Sequence, residues 1–385
     1  MHETEQIICA VLRGEARPWV GPVASAAIAR FIDAARYHGV LPLLDAELTE
    51  GRSTNWPAEI LAACREESRA WAMYELAHRV EMFRVLDALW SAGVTFLILK
   101  GAALAYSLYP TPTLRPHSDT DLLIHPDRRK DAALVLERLG YSKSRGGEGA
   151  FTFHQATWHR PEASGAVHTL DVHWRISNSS VLSRPLTYAE LEGRAASLPP
   201  LGPHARTLAP ADALLFACIH RAGHAHAPYF VNGVPHFGID RLIWLYDIRL
   251  LVSQMSAGEL DAWAATAAAK GIGEICCDAI LRTRERFGTV VPRQVLELLS
   301  GAEGIEPSAR FLSAGRVRLM LDDVRALRGW GERIAWAREL AFPSASYMRW
   351  KYADASITWL PGLYLQRAVT GTLGLFRSRD AERRH

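Results

Sequence analysis

The chain has few cysteines for its length, no strong excess of either charge and no long apolar run. Its five cysteines (Cys9, Cys64, Cys218, Cys276, Cys277) include no C-x-x-C pair. That excludes the common structural zinc motifs and a disulfide framework, and a reducing, cytoplasmic compartment fits best. No window reaches the roughly 18 consecutive apolar residues needed to span a bilayer. The opening MHETEQIICAVLRGEARP carries acids early and only a brief apolar stretch, unlike a secretory signal. The expectation is therefore a soluble protein with no transmembrane segment. A net charge of +3 is too small to require a nucleic-acid partner. There is no G-x-G-x-x-G fingerprint and no P-loop, and Gly146-Gly147-Glu148-Gly149 reads as a flexible turn.

What is present is enough for a large core. The 385 residues leave room for two or three domains, and 49% hydrophobic with 22% charged residues is the balance of a globular enzyme. Charge is uneven along the chain: from Ala309 onward 14 Arg/Lys face 7 Asp/Glu, so that segment is +7 and the remainder −4. Such a segment can face phosphates or acidic lipid, or be a set of solvated helix faces.

Residues 1–92 read as helical. Trp56 to Trp90 returns apolar residues at three- and four-residue steps, and Gly93 stops the pattern. The texture then changes. VTFLIL (Val94 to Leu99) is a short β-rich apolar run, as expected of a strand covered on both faces. Lys100-Gly101 ends it, AALAYSLY makes a short helix, and Pro110, Pro112 and Pro116 make a loop. SDTDLLIH (Ser118 to His125) is a second strand, Arg128 to Leu139 a helix closed by Gly140, and 151–159 and 166–174 two further strands. Helical periodicity returns at 210–222, 239–254, 259–271 and 315–341. The simplest architecture is α+β: a small mixed-sheet core over 93–180, flanked by helical regions at 1–92 and 181–385.

Asp119 and Asp121 sit two apart on a strand, so their carboxylates share a face. Beside Leu122-Leu123-Ile124 that arrangement is unfavourable unless protons or a cation neutralise it. Asp171, between Leu170 and Val172, is a third acid on an apolar strand that an adjacent position could bring to the same face. Three clustered carboxylates suit Mg²⁺ (or Mn²⁺), which takes oxygen ligands and substrate phosphates, and suit metal-assisted displacement at phosphorus. Against this, Asp119 can cap a turn, and Asp171 can pair with Arg175 or Arg115. Arg115, in the proline-rich loop, can clamp phosphates or bridge to one of the acids. Alternation puts His173 on the face of Asp171, where it either orients a ligand or is structural, and Trp174 is expected in the core.

Other candidates are weaker. His220 and His224 share a helix face with His226 following, but lack the glutamate of an H-E-x-x-H zinc motif, so helix packing or contact with a nucleotide is favoured. Asp240, Arg241 and Asp247 can pair among themselves. Cys276-Cys277 are expected in the core. The aromatic C-terminus (Trp330, Trp336, Tyr347, Trp350, Tyr352, Trp359, Tyr364) is read as packing, with a lipid or peptide acceptor surface as the alternative.

The run LILKGAALAYSLYPTPTLRPHSDTDLLI, followed by a helix, LGY and TLDVHWRI, resembles the polymerase-β-like nucleotidyltransferase superfamily, in particular its uncharacterised bacterial nucleotidyltransferase proteins. The matching positions are Lys100-Gly101, Arg115, Asp119-Thr120-Asp121 and Asp171-Val172-His173-Trp174. The flanking ARYHGVLPLL and LAPADALLFACIHRAGH extend the likeness over most of the chain. The superfamily usually carries Gly-Ser or Gly-Gly where this chain has Lys100-Gly101, and an apolar residue where it has Thr120. The resemblance implies catalytic and metal-binding roles for Asp119, Asp121 and Asp171. Lys100, Gly101, Arg115, Ser118 and His173 would receive a nucleoside triphosphate. The acceptor is unidentified, a small molecule or peptide more readily than a nucleic acid. Two other readings stay open: phosphoryl or glycosyl transfer to a peptide or natural product, and a catalytically silent, partner-binding protein of the same fold.

Overall fold

The computed structural model describes residues 3–15, 18–49, 55–144, 152–162, 165–231, 234–301, 306–353 and 359–370. The Gly146–Gly149 turn and Phe151 lie outside them. Helices α1 (Glu3–Leu12), α2 (Ser25–His38), α3 (Leu41–Thr49) and the 34-residue α4 (Ala58–Ser91) come first. Gly93 ends α4 as its sequence position predicts. At φ 71° it donates to Trp90, and Val94 donates back to Leu89, both at 2.9 Å. This satisfies the last carbonyls of the helix in a conformation glycine adopts without a Cβ penalty.

The sheet follows. β1 (Phe96–Leu99), α5 (Lys100–Ser107), β2 (Thr120–Ile124), α6 (Arg129–Arg138), β3 (Ser142–Lys143), β4 (Gln155–Pro161) and β5 (Val167–His173) lead to the short α7 (Ser180–Ser183) and α8 (Tyr188–Gly193). Then come β6 (Ala196–Ser197) and β7 (Arg206–Thr207). The seven strands are ordered β3-β4-β5-β2-β1-β7-β6. β2 pairs antiparallel with β1 and parallel with β5, so the sheet is mixed. Every residue of β1 and β2 is buried, Thr120 and Asp121 included, which requires layers on both faces of the sheet. β6 and β7 extend the sheet past residue 180, beyond the core boundary expected from sequence, because β7 pairs in parallel with β1.

Helices complete the chain: α9 (Pro210–Gly223), the small hairpin β8 (Tyr229–Val231) and β9 (Val234–His236), α10 (Leu242–Ser253), α11 (Ala257–Ala269), α12 (Gly273–Phe287), α13 (Arg293–Ser300), α14 (Arg316–Ala326), α15 (Gly329–Ala341) and α16 (Ala345–Lys351). The helix expected over 315–341 is two, divided at Leu327 with its extended backbone. One apolar cluster joins residues of α1–α3 to α9–α13 and to one face of β1. A second packs α4, α5 and α6 on the other face of the sheet. The helical regions at the two ends of the chain therefore share one core. Arg249 donates to the carbonyl of Leu12 at 2.6 Å and Arg13 to that of Arg286 at 2.8 Å across that junction.

The aromatic C-terminal stretch departs from simple packing: Trp330 and Trp359 are 75% and 64% exposed. Part of its positive charge is paired internally, since Arg310 reaches both oxygens of Asp322 at 2.7 Å. No described helix is long and apolar enough to cross a membrane.

Candidate active site

Strand register assembles the acids. Asp121 of β2 lies opposite Asp171 of parallel β5, and Leu99, the last residue of β1, lies opposite Asp121 on the other side. Residues in register on neighbouring strands project to one face, so the two carboxylates meet. His173, two residues after Asp171, shares that face, and Asp119, in the bend just before β2, is near enough for Asp121 and Asp171 to act on it. Ligand atoms of Asp121, Asp171 and His173 all lie within 4.8 Å of one another.

Each group is held. Lys100 Nζ donates to Asp121 Oδ1 at 2.7 Å, and His173 Nε2 meets the same oxygen at 2.8 Å. Thr157 donates to Asp171 Oδ1 at 2.5 Å from β4, where it stands directly opposite. Lys100 reaches its partner from an unusual backbone: it opens α5 at φ 52°, in the left-handed region. That conformation costs a side-chain-bearing residue roughly 1–2 kcal/mol, and it falls where the resembled superfamily carries glycine.

The electrostatics follow from this crowding. Burial pushes the Asp119 carboxyl up, the neighbouring Asp121 and Asp171 push it further, and it comes to about 7. Burial would raise Asp121 too, but Lys100 and His173 hold it at about 2. Lys100 stays above its usual range because Asp121 and Asp119 outweigh its burial. Three carboxylates thus face one ammonium. An acid that keeps its proton to near neutrality for want of compensation is what a divalent cation relieves. Asp121, Asp171 and His173 are the residues close enough to hold one divalent ion, with Asp119 acting on the two carboxylates from beside them.

The other predicted residues divide. Arg115 bridges to none of these acids. Its Nε and Nη2 make a bidentate pair with Asp247 of α10, at 2.9 and 2.7 Å, and Tyr109 donates to the same carboxylate at 2.6 Å. Gly101 is buried, and a Cβ there would meet His117 Cβ at 2.8 Å, so close packing against the Arg115–His117 loop requires glycine. Ser118 is exposed at the end of that loop. Trp174 is only half-buried, beneath the Arg129 guanidinium at 4.9 Å from its ring centroid, so it does not enter the core.

His220 and His224 pack together, Nε2 to Nε2 at 3.1 Å. Burial drives His220 well below the usual imidazole range and His224 to about 4. Lys100 also acts on both, and it lines one small cavity with Phe216 and His220 of α9. A cavity of about 40 Å³ between Lys100, Arg115, His220, Trp244 and Asp247 is far below the roughly 300 Å³ a nucleotide needs. It has room for little more than water.

Sequence reasoning missed Arg241. Asp240 pairs with Arg221 and Asp247 with Arg115, so the expected pairing within this trio does not occur. Arg241 has no carboxylate within ion-pair distance among the described residues. It donates to the carbonyl of Tyr37 at 2.9 Å and lies over the rings of Tyr229 and Trp244. Burial and the nearby Arg115 lower it to about 10, while Asp119 acts on it in the opposite sense. No local pattern marks it; only the approach of α10 to the sheet does.

No match was found among curated proteins. Among solved structures the chain is similar to an antigenic nucleotidyltransferase-like protein from Paracoccidioides brasiliensis, at 15% identity and a TM-score of 0.36, over 59% of this chain and 94% of that one. A family model described as an uncharacterised nucleotidyltransferase matches residues 24–288, and the chain belongs to that family.

Proposed function

We propose that the protein transfers a nucleoside monophosphate from a nucleoside triphosphate to an acceptor hydroxyl or phosphate. The observation that carries this is the register of Asp121 against Asp171 on neighbouring strands, with Asp119 close enough to act on both. Asp119 and Asp121 would hold Mg²⁺ or Mn²⁺, and Asp171 completes the set. When bound, the cation supplies charge neutralisation at the phosphates and polarisation of the reacting oxygens. Asp171, held by the Thr157 hydroxyl, would take the acceptor's proton. His173 orients Asp121. Lys100 can turn from Asp121 to a phosphate oxygen, and Arg241, with no carboxylate in ion-pair distance among the described residues, would supply a second cation. The helical region around α9 and α10 would then select the acceptor.

Two contacts favour a second reading, a catalytically silent fold that binds a partner. Lys100 Nζ lies 2.7 Å and His173 Nε2 2.8 Å from the same oxygen of Asp121. Both readings meet the same test: Mg²⁺-dependent binding of the four nucleoside triphosphates to wild type and to Asp119→Asn/Asp121→Asn. Metal-dependent binding that the double variant loses supports transfer. Its absence from folded wild type removes the transfer reading and leaves the silent one. Product mass then separates nucleotidyl from phosphoryl or hexosyl addition.

A further inference from the structure

A second cluster lies on the opposite face of β2. Thr120 alternates with the two acids and so points to α4, where Glu75 and His78 are 4% and 2% exposed. Three residues apart on one helix face, they meet His117 (7% exposed) from the loop that leads into Asp119. A buried acid and two buried imidazoles are costly unless each polar atom has a partner.

Three contacts satisfy one atom of each. His78 Nε2 lies 2.7 Å from the Thr120 hydroxyl. His117 Nδ1 lies 3.2 Å from the carbonyl of Arg115, and since a carbonyl only accepts, Nδ1 carries the proton and Nε2 presents a lone pair. The Tyr106 hydroxyl donates to Glu75 Oε1. The remaining atoms, His78 Nδ1, His117 Nε2 and Glu75 Oε2, are all buried and lack a hydrogen-bond partner. They face a common centre: His78 Nδ1 is 3.7 Å from Glu75 Oε1, His117 Nε2 is 3.9 Å from Glu75 Oε2, and the ligand atoms of all three residues fall within 4.8 Å. Those gaps are too long for hydrogen bonds. They are close to the spacing of roughly 3.3 Å between donors around a tetrahedral ion bound at roughly 2.0–2.1 Å. Trp71 packs edge-on against His117 and Tyr74 stacks on His78, with centroids at 5.1 and 5.7 Å, closing an apolar shell.

We propose that Glu75, His78 and His117 bind a divalent transition-metal ion behind β2, with Zn²⁺ the best match to two imidazole nitrogens and a carboxylate oxygen. The Thr120, Arg115 and Tyr106 contacts are outer partners that fix each ligand's orientation. The ion ties α4 to the loop carrying Asp119, so its role is positioning. It is separate from the acid cluster and does not rest on the transfer reaction.

The test is metal uptake by chelator-stripped full-length protein, dialysed against Zn²⁺ and read by elemental analysis, with zinc X-ray absorption on the wild type. The expected result is one Zn²⁺ per chain, with two imidazole ligands in the spectrum. Uptake persists in Asp121→Asn/Asp171→Asn and in His220→Gln, and falls at least tenfold in His117→Gln. Wild type that takes up no stoichiometric Zn²⁺, or a spectrum without two imidazoles, overturns the proposal. So does uptake lost with the acid pair or with His220, or retained in folded His117→Gln. If His117→Gln does not fold, the wild-type spectrum and the two control variants still decide.

Discussion

Arg115 and Asp247, 132 positions apart, form a buried bidentate pair that joins the loop before the acids to helix α10. Both side chains are less than a tenth exposed. Arg241, six residues before Asp247, is near enough for Arg115 and Asp119 to act on it.

Breaking that pair strands a buried guanidinium. Asp247→Ala is expected to destabilise the protein by about 3–5 kcal/mol in urea unfolding, because the remaining charge has no partner and Tyr109 loses its acceptor. The double change Arg115→Met/Asp247→Leu should cost less than Asp247→Ala alone. A double variant weaker than the single would show that the pair's own attraction, rather than the stranded charge, dominates.

Lys100 tests the backbone. In an ordinary helix glycine is less stable than alanine by roughly 0.5–1 kcal/mol. At φ 52° the order reverses. Lys100→Gly should be more stable than Lys100→Ala by about 1 kcal/mol, while both lose the ammonium that neutralises Asp121. Chemical denaturation of the two variants measures the difference; equal midpoints would mean the turn relaxes.

Asp119 makes stability depend on pH. Its carboxyl titrates near 7 in the folded protein, against roughly 3.9 in an unfolded chain. The folded state therefore holds a proton that the unfolded state releases. The residue's stabilising share is complete below about pH 4 and is lost as pH rises through 7. Without added metal, Asp119→Asn should stabilise the protein by roughly 1–2 kcal/mol at pH 8, allowing for screening at a partly exposed site, and by little at pH 4. Melting curves at the two pH values read this directly, and identical shifts at both would contradict it.

Arg241 tests the phosphate assignment. Arg241→Met should weaken Mg²⁺-dependent triphosphate binding at least tenfold, about 1.4 kcal/mol, and change unfolding by no more than about 1 kcal/mol, since no buried carboxylate is left behind. Calorimetric titration beside a urea curve separates the two effects. Unchanged affinity in a variant that binds nucleotide would remove Arg241 from the site.

The sequence by itself determined what depends on local order. The apolar run at 94–99 marked a strand covered on both faces, the pattern at 118–125 marked a second strand, and Gly93 and Gly140 marked helix ends. Only the tertiary structure decided what depends on register and on distant partners. Asp171 meets Asp121 because β5 pairs in parallel with β2 at that position, and a shift of one residue would turn it to the other face. Arg115 turns to Asp247, Arg241 comes within electrostatic reach of Asp119, and His117 closes on Glu75 and His78 across about 40 positions of chain. Side-chain periodicity records which face a residue takes within its own element; it carries nothing about which other element will cover that face.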